Sequence, residues 1–356
     1  MSNERVATLL ARTDVGAAGV HTEDINLSEV ISRMRVRFGV IVATATPTEV
    51  AGKAITKIEI VDGSDVLYSL SGLEAQALDF YQTGRVRHNN GSYVGTWELV
   101  ANFYINFGRK LWDTEFALDP KRFTNPQIKV TFDEDVAVGT PTSNYLSIIA
   151  DVFDEKSVSP SGFLMSKELY SYTPTSNGWE FIDLPSDYPY RKLMIQNRYQ
   201  DLWLGALLGE VKLSENNDRK VPLDLVVEEL EYYLKDLYPR YIEHIAVDLV
   251  DTTGIYIYIT PTQGISINGY AYTKAGLFEA VPFGYKIYGC VHSDIGTQTI
   301  EVSGDVPHGC VALPIGDQND PSDWWDLNGK AGQLQVKGGS AVAGTCQVVT
   351  EQLRKY

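Results

Sequence analysis

Cysteine is nearly missing from this chain: 356 residues hold three, Cys290, Cys310 and Cys346. An odd and sparse set cannot build a disulfide framework, and it points to synthesis in a reducing compartment. Long apolar runs are missing too. The most apolar stretch, Phe38-Gly39-Val40-Ile41-Val42-Ala43, is far below the ~18 residues that a membrane-spanning helix needs. The opening residues, with Val6 to Ala11 followed closely by Arg12 and Asp14, predict no export signal. Positive charge is in deficit, 30 basic against 46 acidic residues, for a formal net charge of −16. The chain as a whole therefore repels phosphate backbones, and direct nucleic-acid binding is not expected. Gly-rich phosphate loops, Gly-x-Ser-x-Gly elbows and His-Glu-x-x-His motifs are also lacking. No catalytic, cofactor-binding or metal residue is assigned, and the chain is expected not to be an enzyme and to need no cofactor.

What is present is the material of a large core. Hydrophobic residues make up 44% and charged residues 21%, the balance of a globular protein, and the length exceeds what one core usually serves, so two domains are expected. Twenty-one tyrosines sit in β-branched, alternating runs separated by Gly, Asn, Asp and Pro, which reads as all-β. Between Ile31 and Thr44, Arg33, Arg35 and Arg37 fall on one strand face and Met34, Val36, Phe38, Val40 and Val42 on the other. The arginine face is read as solvated or inter-subunit rather than as a phosphate site. Ile55–Val61, the turn Asp62-Gly63-Ser64 and Val66–Leu70 form a hairpin. Ser71-Gly72-Leu73-Glu74 is a capping box that opens a short helix, ended by Gly84. Further strands are expected at 97–107, 127–132 and 145–153.

The polar run from Asp154 to Gly162 is the best domain boundary. After it strands follow at 163–173, 179–184 (as a continuation), 191–199 and 202–213. A second helix is expected to open at Pro222-Leu223 and close at Pro239. The strand near Ile55 is matched to one near Arg191, and the helix at Gly72 to the one at Leu223, as a structural repeat without sequence identity. Later strands are expected at 242–250, 255–260, 265–272 and 285–292, and loops from Gly296 to Gly339. The division expected is an N-terminal arm over 1–29, one body over 30–157 and another over 158–356. The arm has no sustained period, so it should order only against a neighbour. Many strands with two short helices indicate sandwiches or jelly rolls.

Three passages carry a resemblance: Ile55–Ile60 through Leu70-Ser71-Gly72-Leu73-Glu74; Asn106–Asp113 leading to Ala117–Pro120 and Asn125–Val130; and Tyr172–Trp179, then Asp183-Leu184-Pro185 and Tyr190–Leu193. In these the chain resembles the double jelly-roll major capsid proteins of tailless icosahedral viruses, the tectivirus, corticovirus and adenovirus hexon lineage. The resemblance is a pattern over residues 30 to 350, not a sharp motif. It implies two tandem eight-stranded jelly rolls, each with a short flanking helix. It also implies a homotrimer of pseudo-hexagonal outline that tiles an icosahedral shell, bacteriophage capsids included. Implied partners are other copies, neighbouring trimers, penton or minor capsid proteins, and an internal membrane reached through the arm. The implied location is the virion, assembled in the host cytoplasm. Without a very long insertion, large outer towers are not expected. The rival reading is a jelly-roll carbohydrate-binding or receptor-binding spike protein, and a more distant one a β-sandwich glycoside hydrolase.

Two constellations carry potential chemistry. Cys290-Val291-His292 and His308-Gly309-Cys310 could offer two sulfurs and two imidazoles to one Zn²⁺ from adjacent strands. The spacing is unlike the usual zinc finger or ribbon, and partly buried cysteines with loop histidines are the favoured reading. Trp324-Trp325 could stack on a sugar, but a subunit-interface anchor is favoured. Acidic pairs such as Asp133 with Asp135, or Glu228 with Glu229, and the acidic turn Asp317–Asp320 read as solvated.

Overall fold

The computed structural model describes residues 4–42, 47–89, 91–93, 98–137, 141–154, 157–199, 202–249, 255–269, 281–289 and 296–356. In the first half, strands β1 (Glu4–Thr13), β2 (Ala18–Asp24), β3 (Ile31–Val42), β4 (Ile55–Asp62) and β5 (Asp65–Leu70) precede helix α1 (Gly72–Thr83). After it come β6 (Gly91–Tyr93), β7 (Glu98–Asn106), β8 (Pro126–Asp133) and β9 (Pro141–Phe153). One layer has the order β1-β9-β3-β7 and the facing one β2-β8-β4-β5. The period-two pattern of β3 does what it predicts: Met34, Val36, Phe38 and Val40 are buried between the layers, and Phe38 meets Phe132 of the opposite layer at 5.7 Å between ring centroids. Helix α1 starts on the capping box of Ser71 and Glu74 and stops at Gly84, whose φ of 64° is the left-handed cap that glycine adopts most easily.

The second half holds β10 (Gly162–Tyr172), β11 (Trp179–Leu184), β12 (Tyr190–Asn197), the single turn α2 (Leu204–Leu207), β13 (Leu208–Glu215), β14 (Lys220–Val226) and α3 (Val227–Leu237). Six strands follow: β15 (Tyr241–Leu249), β16 (Ile255–Tyr258), β17 (Pro261–Gly269), β18 (Val281–Phe283), β19 (Lys286–Gly289) and β20 (Gly296–Pro307). The half ends with β21 (Cys310–Pro314), β22 (Gly332–Gly338) and β23 (Cys346–Lys355). Setting aside β6 and β15 to β20, each half has eight strands. Counted along its own half, each has one layer ordered 1-8-3-6 and another ordered 2-7-4-5: β10-β23-β12-β21 and β11-β22-β13-β14 in the second. That order is the jelly roll, present twice. The rolls are fused, because β5 pairs in parallel with β10 through Tyr68 with Ser166 and Ser69 with Lys167, making one eight-stranded sheet of half of each roll.

The repeat is closer than the sequence reading had it. Strands β3 and β12, strands β4 and β13, and helices α1 and α3 begin 159, 153 and 155 residues apart (31 to 190, 55 to 208, 72 to 227). The two helices correspond as expected, but the strand at Ile55 corresponds to β13, not to the strand at Arg191.

Other expectations are corrected. The supposed arm is not free: β1 pairs with β9 and β2 with β8, with Ala7 and Ile25 buried, so residues 4–24 supply two strands of the first roll. Exposure on both faces of these edge strands erased the alternation that would have marked them. Pro222 lies within β14, at the edge of its sheet where a missing N–H is tolerated, and α3 starts at Val227. Residues 179–184 are a separate strand in another layer from β10, not its continuation. The region 296–339, expected as loops, contains β20, β21 and β22. An insertion does exist: β15 to β20 form sheets of their own, β17-β20-β15-β6 and β16-β19-β18, placed between α3 and β21. Their core is a separate small cluster that includes Ile245, Val247, Ile257 and Val302.

Candidate functional site

The sequence places Glu74, Gln76 and Asp79 on a helix whose other residues are mostly apolar, and every residue of α1 from Gly72 to Tyr81 is buried. A helix buried all round needs cover on both sides. The first roll supplies one side: a Cβ at Gly72 would stand 2.4 Å from the Gly52 carbonyl oxygen and 2.8 Å from the Phe103 ring. The second roll supplies the other, through the outward face of β12, β21 and β23. There Lys192 Nζ donates to the Tyr81 carbonyl (2.7 Å), the Tyr81 hydroxyl donates to the Cys310 carbonyl (2.7 Å), and Gln82 Nε2 donates to Glu351. Arg191 meets Glu351 at 2.6 Å in the same seam. Burial opposes ionisation of Glu351, but Arg191 and Lys192 outweigh it and hold the carboxyl below its usual range; burial pushes Lys192 down to about 7. Arg198 grips Glu49 with both terminal nitrogens, at 2.5 and 2.7 Å, as another tie between the halves.

The zinc quartet does not come together as four described ligands. Cys290 and His292 lie outside the described residues. His308 is fully buried in the seam, with Nε2 2.9 Å from Gln76 Oε1, and burial, with Arg198 and Lys53 nearby, holds it well below its normal range. Cys310 is buried as well, and burial pushes its thiol up. Among the described residues no group of three or more His, Cys, Asp or Glu could hold a metal ion.

Both readings of the tryptophan pair are corrected, because the two side chains are buried within the chain at 4% exposure. Trp324 Nε1 donates to the Asp317 carbonyl and its ring packs near Phe116, while Trp325 Nε1 donates to Glu215 Oε2 at 2.9 Å. The acidic turn at Asp317 is a self-bonded loop, with Asp317 accepting from Asn319 N and donating its own N–H to Asp323.

A cavity of about 430 Å³ lies where the first roll meets the inserted sheets, bounded by Glu49, His88 and Tyr93 on one side and Glu243, His244 and Thr260 on the other. Glu243 accepts from the Thr260 N–H and hydroxyl at 2.7 and 2.8 Å, and burial pushes its carboxyl up to about 7.

Broad faces dominate the rest. On the outward face of β1-β9-β3-β7, Arg33 pairs with Asp151 at 2.7 Å and Arg12 stacks on Tyr145. Arg35 and Arg37 make no ion pair among the described residues, and their buried Nε atoms have no partner. On the second roll, exposed aromatic and aliphatic side chains stand on β11 (Trp179, Phe181), at the far edge of the same sheet on β14 (Val221, Val226), and on α3 (Tyr232, Tyr233, Leu237). The arginine row follows from its spacing; the exposed residues of β14 do not, since Pro222-Leu223 reads as the start of a helix.

No family model and no curated protein matches the sequence. Solved structures do. The major capsid protein of bacteriophage PM2 is 14% identical with a TM-score of 0.56, covering 99% of this chain and 98% of its own. The STIV (Sulfolobus Turreted Icosahedral Virus) major capsid protein is 11% identical with a TM-score of 0.53, covering 96% and 98%. VP54 of PBCV-1, as fitted into a reconstruction of the virophage Sputnik, is 9% identical with a TM-score of 0.57, covering 99% and 94%. By its doubled strand order, the fold of this chain is the double jelly roll of the major capsid proteins it resembles from end to end.

Proposed function

We propose that the chain is a major capsid protein, a structural component of the virion and not an enzyme. Copies would associate as homotrimers of pseudo-hexagonal outline that tile an icosahedral shell with neighbouring trimers and with penton or minor capsid proteins. One observation carries the reading: two jelly rolls of the same strand order, fused through one sheet, run the full length of the chain, as in structures described as major capsid proteins. The physics supports it. Strand edges at β1, β7, β11 and β14 and the exposed aromatics of the second roll call for cover by other chains. We place the division between the rolls at about residues 157/158, in the segment that links β9 to β10. Free, buried Cys310 and Cys346 suit assembly in a reducing host cytoplasm.

Light scattering on purified protein tests the reading. The expected mass is that of three 39.6-kDa chains. A stable monomer at micromolar concentration would overturn it in favour of a carbohydrate-binding or spike protein.

A further inference from the structure

The two helices α1 and α3 occupy the same place in their rolls, after the fifth strand, yet their surroundings differ. Ten of the twelve residues of α1 are buried, against Val227, Leu230 and Leu234 of the eleven in α3. The difference is the second roll, which lies on α1. Glu229, Tyr232 and Asp236 of α3 stand at the positions of Glu74, Ala77 and Tyr81 of α1, the side that faces the second roll, and all three are exposed. The surface on which α1 sits also has an uncovered counterpart. Lys192, Met194 and Gln196 of β12 are buried against α1; at the same 159-residue spacing β3 carries Arg33, Arg35 and Arg37, half-buried and facing outward. Arg35 and Arg37 themselves line a groove of about 410 Å³, together with His88, Glu98, Asn102 and Tyr104.

We propose that α3 of one copy docks on the β3-β9-β7 face of a second copy, repeating between chains the contact that α1 makes on β12-β23-β21 within one. The charges match: Glu229 and Asp236 make no ion pair among the described residues, and neither do Arg35 and Arg37. The face has two carboxylates of its own, but Asp151 is paired with Arg33 and Glu98 with Arg12, so Arg35 and Arg37 are the positions on it that a carboxylate from another copy would meet. Tyr232, 57% exposed, lies between the two acids and can stack on an arginine. Each chain offers one helix and one seat on different rolls, so the contact is head-to-tail, the kind that builds a ring when its rotation closes. This rests on the capsid reading and names the surfaces that would build its trimer.

Charge reversal tests it. Sedimentation equilibrium would compare the wild type, Arg35→Glu/Arg37→Glu, Glu229→Arg/Asp236→Arg, and the chain with all four changes. Each double variant should associate about a hundredfold more weakly, and the quadruple variant should recover most of the loss. As a control that keeps the charges and the fold, Arg35→Lys/Arg37→Lys would be treated with a carbodiimide. The expected product is an inter-chain amide from position 35 or 37 to Glu229 or Asp236, read by peptide mass spectrometry. A trimer indifferent to both reversals, or cross-links that avoid α3, would overturn the docking and leave the capsid reading standing. A monomeric wild type would overturn both.

Discussion

Arg191 and Glu351, on neighbouring strands β12 and β23, meet at 2.6 Å with side-chain exposures of 2% and 1%, directly beneath the helix of the other roll. Lys192, on the same strand, supports Glu351 and anchors the end of α1. Two basic side chains and one carboxylate thus share a dry seam, and the carboxylate depends on its two neighbours to remain charged.

Removing the carboxylate should therefore be costly. Glu351→Ala leaves Arg191 buried without its anion and is expected to destabilise the chain by about 3–5 kcal/mol, measured by denaturant unfolding. A loss below about 1 kcal/mol would mean that water reaches the seam.

Glu74 gives a pH dependence with a defined sign. Burial pushes its carboxyl up to about 7 from a usual 4.5, against the lowering effect of its bonds to Ser71. Between those two values the native state holds a proton that the unfolded chain has released, so stability is present in full at low pH and is lost as pH rises through about 7. The loss is on the order of 3 kcal/mol. Glu74→Gln keeps the capping acceptor without the charge, and melting curves from pH 4.5 to 8 should be flatter for the variant, which becomes the more stable form at pH 8.

Deleting residues 1–25 removes β1 and β2 and bares the edges of β9 and β8. The expected result is loss of the cooperative melt, since two strands of an eight-stranded roll are worth more than about 5 kcal/mol, together with aggregation through the new edges. A truncated chain that melts like the full one would restore the idea of a free arm.

Trp325→Phe strips the indole donor from Oε2 of buried Glu215, leaving Lys330 on the other oxygen, and should cost about 1–3 kcal/mol. Trp179→Ala, on an exposed face, should cost an isolated chain less than about 0.5 kcal/mol. Urea titrations of the two side by side would separate a buried anchor from a surface one.

How much of this was legible depended on whether one face of an element was wet. Strand β3 alternates arginine with apolar residues because one side faces the core, and its bounds came out of the sequence well. The capping box of α1 named its own first turn. Strand β12 is buried along its whole length, so Arg191, Lys192 and Gln196 carried no sign that they faced a partner helix. Strands β1 and β2 failed for the opposite reason, being exposed on both sides. The inserted strands looked like any others, because nothing local distinguishes a strand of the roll from one in a sheet built beside it. His308 and Cys310 read as candidates by type, but only the fold puts Gln76 against the imidazole from more than two hundred residues away.

The inserted sheet also constrains the order of assembly of the chain itself. Its strand β15 pairs in parallel with β6, Ile245 with Gly91, and β6 is lent by the first roll. During synthesis β6 emerges long before its partner and must wait with an open edge. Pairings of such long range make folding slow and leave intermediates prone to stick to one another. A maturation assay that follows the β6 to β15 contact by pulse-labelled hydrogen exchange should find it among the last protected, well after the hairpin of β4 and β5.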